Sequence, residues 1–432
     1  MSNAFASLGA VALLSIDAFL DGIILSRLLG HQALGAVTLL SPFMIFQSAL
    51  ASLVATGASV LISRAVGEDN DLRILSIFKN MHILAVVLAV MCHLAYLIVG
   101  DWTLHTLSSD EQEILYAHEF YSIFSAGTLI VILSQGYGAL MRSSGQFGKV
   151  SMLLLLSVLI NVLLSLILIP KIGIAGCSWA MLTSLLVYSF LAFSQIQSTY
   201  RINFRGRISR EVITEIFSIG FSSFIFQSSN IFRQALIIKF ISIHSAGDTA
   251  FYGIISRVIA LMVIPTQALF QSFQPTFIAN LGAGLQMRCQ QAILAVKRYS
   301  VIAATILCAA AFFLAENIFI LFFPELKIPK QAFTAFRMCL LLVLCYPLSA
   351  LSFVLLQSSG NHKQAVVISS GREVVLLLPL LLLLNQTGLA NGVYIAIVTE
   401  VIIYTSLIYV FASIKMNSLL SVKTLNNQVY GS

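Results

Sequence analysis

Apolar stretches long enough to cross a bilayer follow one another along the whole chain, and this pattern constrains the fold more than any other feature. Twelve can be delimited, at residues 4–29, 33–63, 80–100, 117–141, 150–170, 173–198, 212–241, 250–279, 294–323, 332–357, 365–385 and 388–413. A helix crosses the hydrocarbon core in about 20 residues. Backbone in lipid must satisfy its own hydrogen bonds, which leaves helices as the solution for runs this continuous. Only 9% of the 432 residues are charged and 59% are hydrophobic, against about 25% charged in soluble domains. The expectation is an all-α polytopic membrane protein with twelve transmembrane helices. No basic segment with a small-residue cleavage site precedes the first stretch, so no signal peptide is read.

The net charge of +7 points to topology and not to nucleic acid. Lys and Arg collect in alternate connections: Arg64, Arg73 and Lys79; Arg142 and Lys149; Arg201, Arg205, Arg207 and Arg210; Arg288, Lys297 and Arg298; Lys363; and Lys415 and Lys423 in the tail. The connection after the third stretch is acidic, with Asp101, Asp110, Glu111 and Glu113. Positive loops stay inside, so both termini are expected in the cytoplasm and the protein in the inner (plasma) membrane. The chain also repeats itself at an offset near 215: Gly67 with Gly282, Arg73 with Arg288, Ser143–Gly145 with Ser358–Gly360, and Gly173 with Gly388. At 216, Gly176 meets Gly392 and Ala180 meets Ala396. Two six-helix halves in the same orientation follow: a lobe at 1–200, a basic linker at 201–211, a second lobe at 212–414 and a tail at 415–432. Parallel repeats about an axis along the membrane normal are a transporter architecture with the site between the lobes. Pro42, Pro265, Pro347 and Pro379 fall inside the stretches and are expected to bend them.

Several chemistries find no support. The six cysteines have no metal-ligand spacing and the seven histidines no cluster. There is no GxxxxGK[ST] loop for ATP, and no nucleophile–base arrangement. The expectation is a protein without cofactor or metal, not an enzyme, acting as a monomer on small molecules within the bilayer.

"LDGIILSRLLGHQALGAVTLLSPF" (Leu20–Phe43) resembles the opening motif of the multidrug and toxin extrusion (MATE) family, with Asp21, Arg27 and Gly30 at the family's spacing. "LISRAVGEDND", "GALMRSSGQFGKVSMLLLLSVLINVLLSLILIPKIGIAGCSWA", "ALFQSFQPTFIANLGAG" and "SSGNHKQAVVISSGREVVLLLPL" are similar to later segments of that family, in order along the whole chain. The resemblance implies two lobes around a central cavity that opens alternately to either side. It also implies export of cationic or amphiphilic molecules in exchange for protons or sodium.

Carboxylates within the apolar stretches are Asp17, Asp21, Glu316, Glu373 and Glu400; the bases are Arg233, Arg257 and Arg372. An ion-coupling site needs a group whose protonation changes with the transport state, and a carboxylate in a partly dry cavity suits that task. The resemblance places a first-lobe cation site at Asp21, with Asn161 on the fifth span and Thr183 supplying a hydroxyl on the sixth. Where the family has a second Asp on the fifth span, this chain has Ser165. Asp17 lies one turn before Asp21 on the same helix face and is expected to restore the missing acid, the two sharing a proton or holding sodium. Glu400 is expected to pair with Arg233 or Arg257 in the second lobe, or to bind a cationic substrate. Met44, Gln47, Phe226, Gln227, Asn230, Gln267 and Gln271 suit a cavity wall for an amphiphile, or equally contacts between helices.

Two other functions fit parts of the pattern. A flippase for lipid-linked sugars of the same superfamily should line its cavity with Arg and Lys, which are few here. A non-transporting receptor or scaffold needs neither the repeat nor intramembrane acids.

Overall fold

The computed structural model describes residues 2–68, 70–200, 208–242, 248–283, 285–324, 327–358, 368, 371–386 and 391–429. Among them every regular element is helical. The elements are α1 (Ser2–Leu29), α2 (His31–Leu39), α3 (Ser41–Gly67), α4 (Asp71–Leu107), α5 (Glu111–Ala126), α6 (Thr128–Ser143), α7 (Phe147–Ile172), α8 (Ile174–Tyr200), α9 (Arg210–Ser242), α10 (Asp248–Gly282), α11 (Gln286–Phe313), α12 (Ala315–Phe322) and α13 (Lys330–Ser358). A π-helical turn, Glu373–Leu377, then runs into the helix Leu378–Gln386, and the last helix is Gly392–Val429. Among the described residues, eight helices are each long and apolar enough to cross a membrane, and the pair α5 and α6, bent by 57°, adds a ninth.

Local sequence explains the joints. Gly30, at φ 86°, turns α1 into α2, and Gly173, at φ 64°, turns α7 into α8; both lie where only glycine is unstrained. Asn70 caps α4 by accepting from the Arg73 N–H at 3.0 Å. Asp110 caps α5 by accepting from Gln112 and Glu113. Pro42 sits in the first turn of α3 and not within a helix. It costs no hydrogen bond there, so the second stretch is two helices, α2 and α3, instead of one bent one.

The chain forms two compact units, residues 9–254 and residues 1–8 with 255–432. In the first unit, α3 and α9 pack along each other at backbone distance. A Cβ added at Gly57 would collide with the Ile216 carbonyl, and one at Gly220 with the Leu53 carbonyl. Small residues that let helices touch are the membrane mode of association, and here they bind α9 to the helices before it. The side facing lipid is apolar: Val90, Met91, Leu94, Leu97 and Ile98 of α4 are exposed. α7 shows the same inversion, with Leu159, Leu163 and Leu166 exposed while Ser157, Asn161 and Ser165, four residues apart, are buried. That inward polar stripe positions the site below. In the second unit, Phe270, Phe273 and Phe277 pack with Cys289, Leu351, Val354 and Leu355. Leu356, Tyr404, Ile408 and Ala412 form another cluster.

Candidate functional site

The polar stripe of α7 meets the two acids of α1. The Asn161 side-chain amide donates to Asp17 Oδ1 at 3.0 Å and to Asp21 Oδ1 and Oδ2 at 2.9 and 3.0 Å. One N–H is thereby directed to each carboxylate, using both donors of the amide. The remaining oxygens are unusual. Asn161 is 1% exposed and Ser165 0% exposed, yet Asn161 Oδ1 and Ser165 Oγ find no hydrogen-bond partner among the described residues. A buried polar atom left so costs about 1–3 kcal/mol. Two carboxylates, an amide oxygen and a hydroxyl are hard oxygen donors, the set that suits a small cation or a hydrated proton. Thr183 is half-buried on α8, and none of the described hydrogen bonds joins it to this group.

The residues expected in a cavity wall divide. Gln47, 1% exposed, is consumed by packing: its amide donates to Thr128 Oγ1 at 2.7 Å and to the Phe124 carbonyl at 3.4 Å. It ties α3 to the α5–α6 bend. Gln227 of α9 donates to Ser52, Ser52 to Gln135 Oε1 at 3.4 Å, and Gln135 to Ser48 at 3.0 Å. This chain of bonds joins α9, α3 and α6. In the second unit, Gln267 hydrogen-bonds the Tyr346 hydroxyl. Met44 is half-buried and Asn230 exposed. The side chains of Phe226 and Gln271 lie outside the described residues. So do most of the linker, 201–207, and Gly360 and Gly388 of the repeat.

In the second unit a base absent from the expected pair stands beside Glu400. Arg372 Nε lies 3.0 Å from Glu373 Oε1 and 3.6 Å from Glu400 Oε1, with its guanidinium over the Tyr404 ring at 4.3 Å. Glu400 and Glu373 are buried. The π-helical turn begins at Glu373, and the extra residue per turn changes which side chains face the last helix. A linear reading of spacing does not foresee that.

Two further features were not singled out from the sequence. Glu113 of the acidic connection is 1% exposed, bonded to Ser108 at 3.2 Å and to Thr249. Asp110, three residues earlier, caps the helix that carries it. At the other end of α9 a cleft of about 680 Å³ is lined by Leu61, Arg64, Arg210, Glu211, Thr214, Glu215, Ser218 and Ile219.

The MatE family model matches residues 6–167, which include Asp17, Asp21, Asn161 and Ser165. A protein of Shewanella oneidensis named "FAD transporter" is 24% identical over 382 residues, covering 85% of this chain and 84% of that one. The Bacillus subtilis "Probable multidrug resistance protein YoeA" is 23% identical over 284 residues, 62% of this chain and 60% of its own. Among solved structures, the inward-facing conformation of a multidrug resistance MATE family transporter of the MOP superfamily superposes with a TM-score of 0.87 at 19% identity. It covers 96% of this chain and 98% of that chain. The fold is therefore the all-helical, twelve-span, two-lobe fold of those transporters.

Proposed function

We propose that the protein is a secondary active antiporter, a reading supported by the match of residues 6–167 to the MatE family model and by the fold the whole chain shares with MATE transporters. It exports cationic or amphiphilic small organic molecules in exchange for protons by alternating access, with Asp21 as the coupling carboxylate and Asp17 as its partner. Both termini lie in the cytoplasm. The observation that carries the reading is the single Asn161 amide held by both acids. A carboxylate at a membrane-helix centre costs roughly 2.5–3.5 kcal/mol on insertion scales, and two on one turn are retained for a purpose. With both within 3.0 Å of one nitrogen, binding one positive charge relieves their mutual repulsion. A proton does so with fewer ligands than sodium, and Ser165 offers the weaker oxygen where the family has a carboxylate.

Transport needs two states of the site with different ion affinity, each exposed to one side. When the acids are ionised they hold a cationic cargo or repel an anionic one; when neutralised they release it. The flavin dinucleotide named for the Shewanella relative gives a second reading of the cargo, an anionic aromatic amphiphile. Inverted vesicles carrying the full-length protein, with imposed proton or sodium gradients, test both against a panel of cationic dyes and FAD. Cation uptake driven by a proton gradient and lost in Asp21→Asn, at normal membrane abundance, is the expected result. Full gradient-driven uptake in Asp21→Asn overturns the coupling role, and sodium-only coupling overturns the choice of proton.

A further inference from the structure

Glu113 is a buried acid that the coupling site does not use, and its surroundings come from three other parts of the chain. Ser108, on the connection after α4, donates to Oε2 at 3.2 Å. Thr249, in the first turn of α10, donates to Oε1. Gly35 of α2 faces the same carboxylate so closely that a Cβ there would collide with it. Beside this group, two more bonds join the same ends. Lys239 Nζ donates to the Thr106 carbonyl and Ser242 Oγ to the Leu107 carbonyl. These carbonyls belong to the last turn of α4, where a helix leaves its C=O groups without intrahelical partners and where a cation is favoured.

The sequence repeat starts its second copy at α9, so the bonds from Lys239, Ser242 and Thr249 tie the second copy to the first. All lie at the ends of α4, α5, α9 and α10 that the charge bias puts outside. The cleft among Arg64, Arg210 and Glu215 lies at the opposite end of α9. We propose that Glu113, with Gly35, Ser108 and Thr249, is the latch of an outer gate, seconded by Lys239 and Ser242. It is closed in this structure and must open for cargo to leave. This rests on the transporter reading. The chemistry suits a gate: the bonds run to hydroxyls and backbone carbonyls that water can replace one by one once the ends separate. The glycine contact between α3 and α9 offers no such exchange. Asp248, across the latch on α10, also stands near the carboxylate, so repulsion between the two acids favours the open form.

The test uses the full-length protein in membranes. In Leu107→Cys/Ser242→Cys, oxidation is expected to form a cross-link, identified by mass spectrometry, that stops gradient-driven ethidium uptake into inverted vesicles until reductant restores it. In whole cells, Thr249→Val, which removes one bond of the latch, and Gly35→Ala, whose Cβ collides with the Glu113 carboxylate, are expected to speed alkylation of Ser242→Cys by an impermeant maleimide about tenfold. A cross-linked protein that transports at the reduced rate, or an alkylation rate unchanged in both variants, overturns the gate. The labelling arm needs no cargo. Faster labelling in a chain that moves no dye therefore refutes the proposed function and leaves the latch standing.

Discussion

Replacing Asp17 by Asn removes one charge of the pair and keeps its shape. Its effect can be worked from the geometry. Asp17 Oδ1 and Asp21 Oδ1 lie 3.0 and 2.9 Å from the same Asn161 nitrogen, so they are no more than about 6 Å apart. At an effective dielectric of about 20, two unit charges at that distance repel by about 3 kcal/mol. A bound proton or cation cancels that repulsion, so losing Asp17 lowers the affinity for the coupling ion by about 100-fold, at about 1.4 kcal/mol per decade. Ser165→Asp supplies a second acid from α7, one turn from Asn161 on the same buried stripe. In that background, Asp17→Asn should cost less than about tenfold. The assay is a double-mutant cycle on the ion concentration that half-saturates dye uptake in proteoliposomes, with all four proteins at equal abundance. Equal losses from Asp17→Asn in both backgrounds would refute the idea that Asp17 stands in for the acid absent at Ser165. So would no loss in the Ser165 protein.

Three further outcomes follow from the packing. Gly220→Leu drives a side chain into the Leu53 carbonyl and should lower stability by about 1–3 kcal/mol or more, read as a fall in detergent melting temperature. Gln47→Leu removes the bond to Thr128. It should cost about 1 kcal/mol of stability and leave dye half-saturation unchanged; a large shift there would return Gln47 to the cavity wall. Arg372→Leu leaves Glu373 and Glu400 without the base between them and should cost about 3–5 kcal/mol, seen as loss of folded protein on size-exclusion chromatography. Arg372→Lys retains part of the charge and loses the stacking over Tyr404.

Helix positions were legible because the bilayer demands the same property of every span: about 20 apolar residues regardless of what the helix touches. The inward stripe of α7 could be read too, since Asn161 and Ser165 interrupt a run of leucines at helical spacing. Breaks within spans were less legible. Gly127, which separates α5 from α6 by 57°, sits in an apolar run like any other small residue. Its role follows from Gln47 and Thr128 closing across the bend. The polar contacts were least legible. Asn161 and Asp21 are 140 residues apart, and Thr249 and Glu113 are 136 apart; no periodicity reports on such pairs. Gln47 and Gln227 look the same in sequence as cavity-lining amides, because an amide serves a ligand or a neighbouring helix with the same atoms.

If Asp17 stands in for the acid absent at Ser165, as proposed, two acids still meet the Asn161 amide and both are carried by α1. Both now ride on α1, one turn apart, so their spacing is fixed by the helix itself and not by the distance between α1 and α7. What α7 contributes is neutral: an amide that donates to both acids, and two buried oxygens without partners, Asn161 Oδ1 and Ser165 Oγ. A motion of α1 relative to α7 would then leave the acid pair intact and strip it of its donors. Loss of two charge-assisted hydrogen bonds, each worth about 1.5–3 kcal/mol, makes the bare pair take up a cation more strongly. Ion affinity thus becomes a function of helix position, which is what coupling to an alternating cycle requires. For a proton, which needs a carboxylate oxygen and not the amide oxygen, Asn161→Leu should therefore tighten binding in every state and slow release. The signature is a lowered half-saturating ion concentration together with a lowered maximal rate. A raised half-saturation would mean that Asn161 serves as a ligand to the ion, and that the donors do not control its affinity.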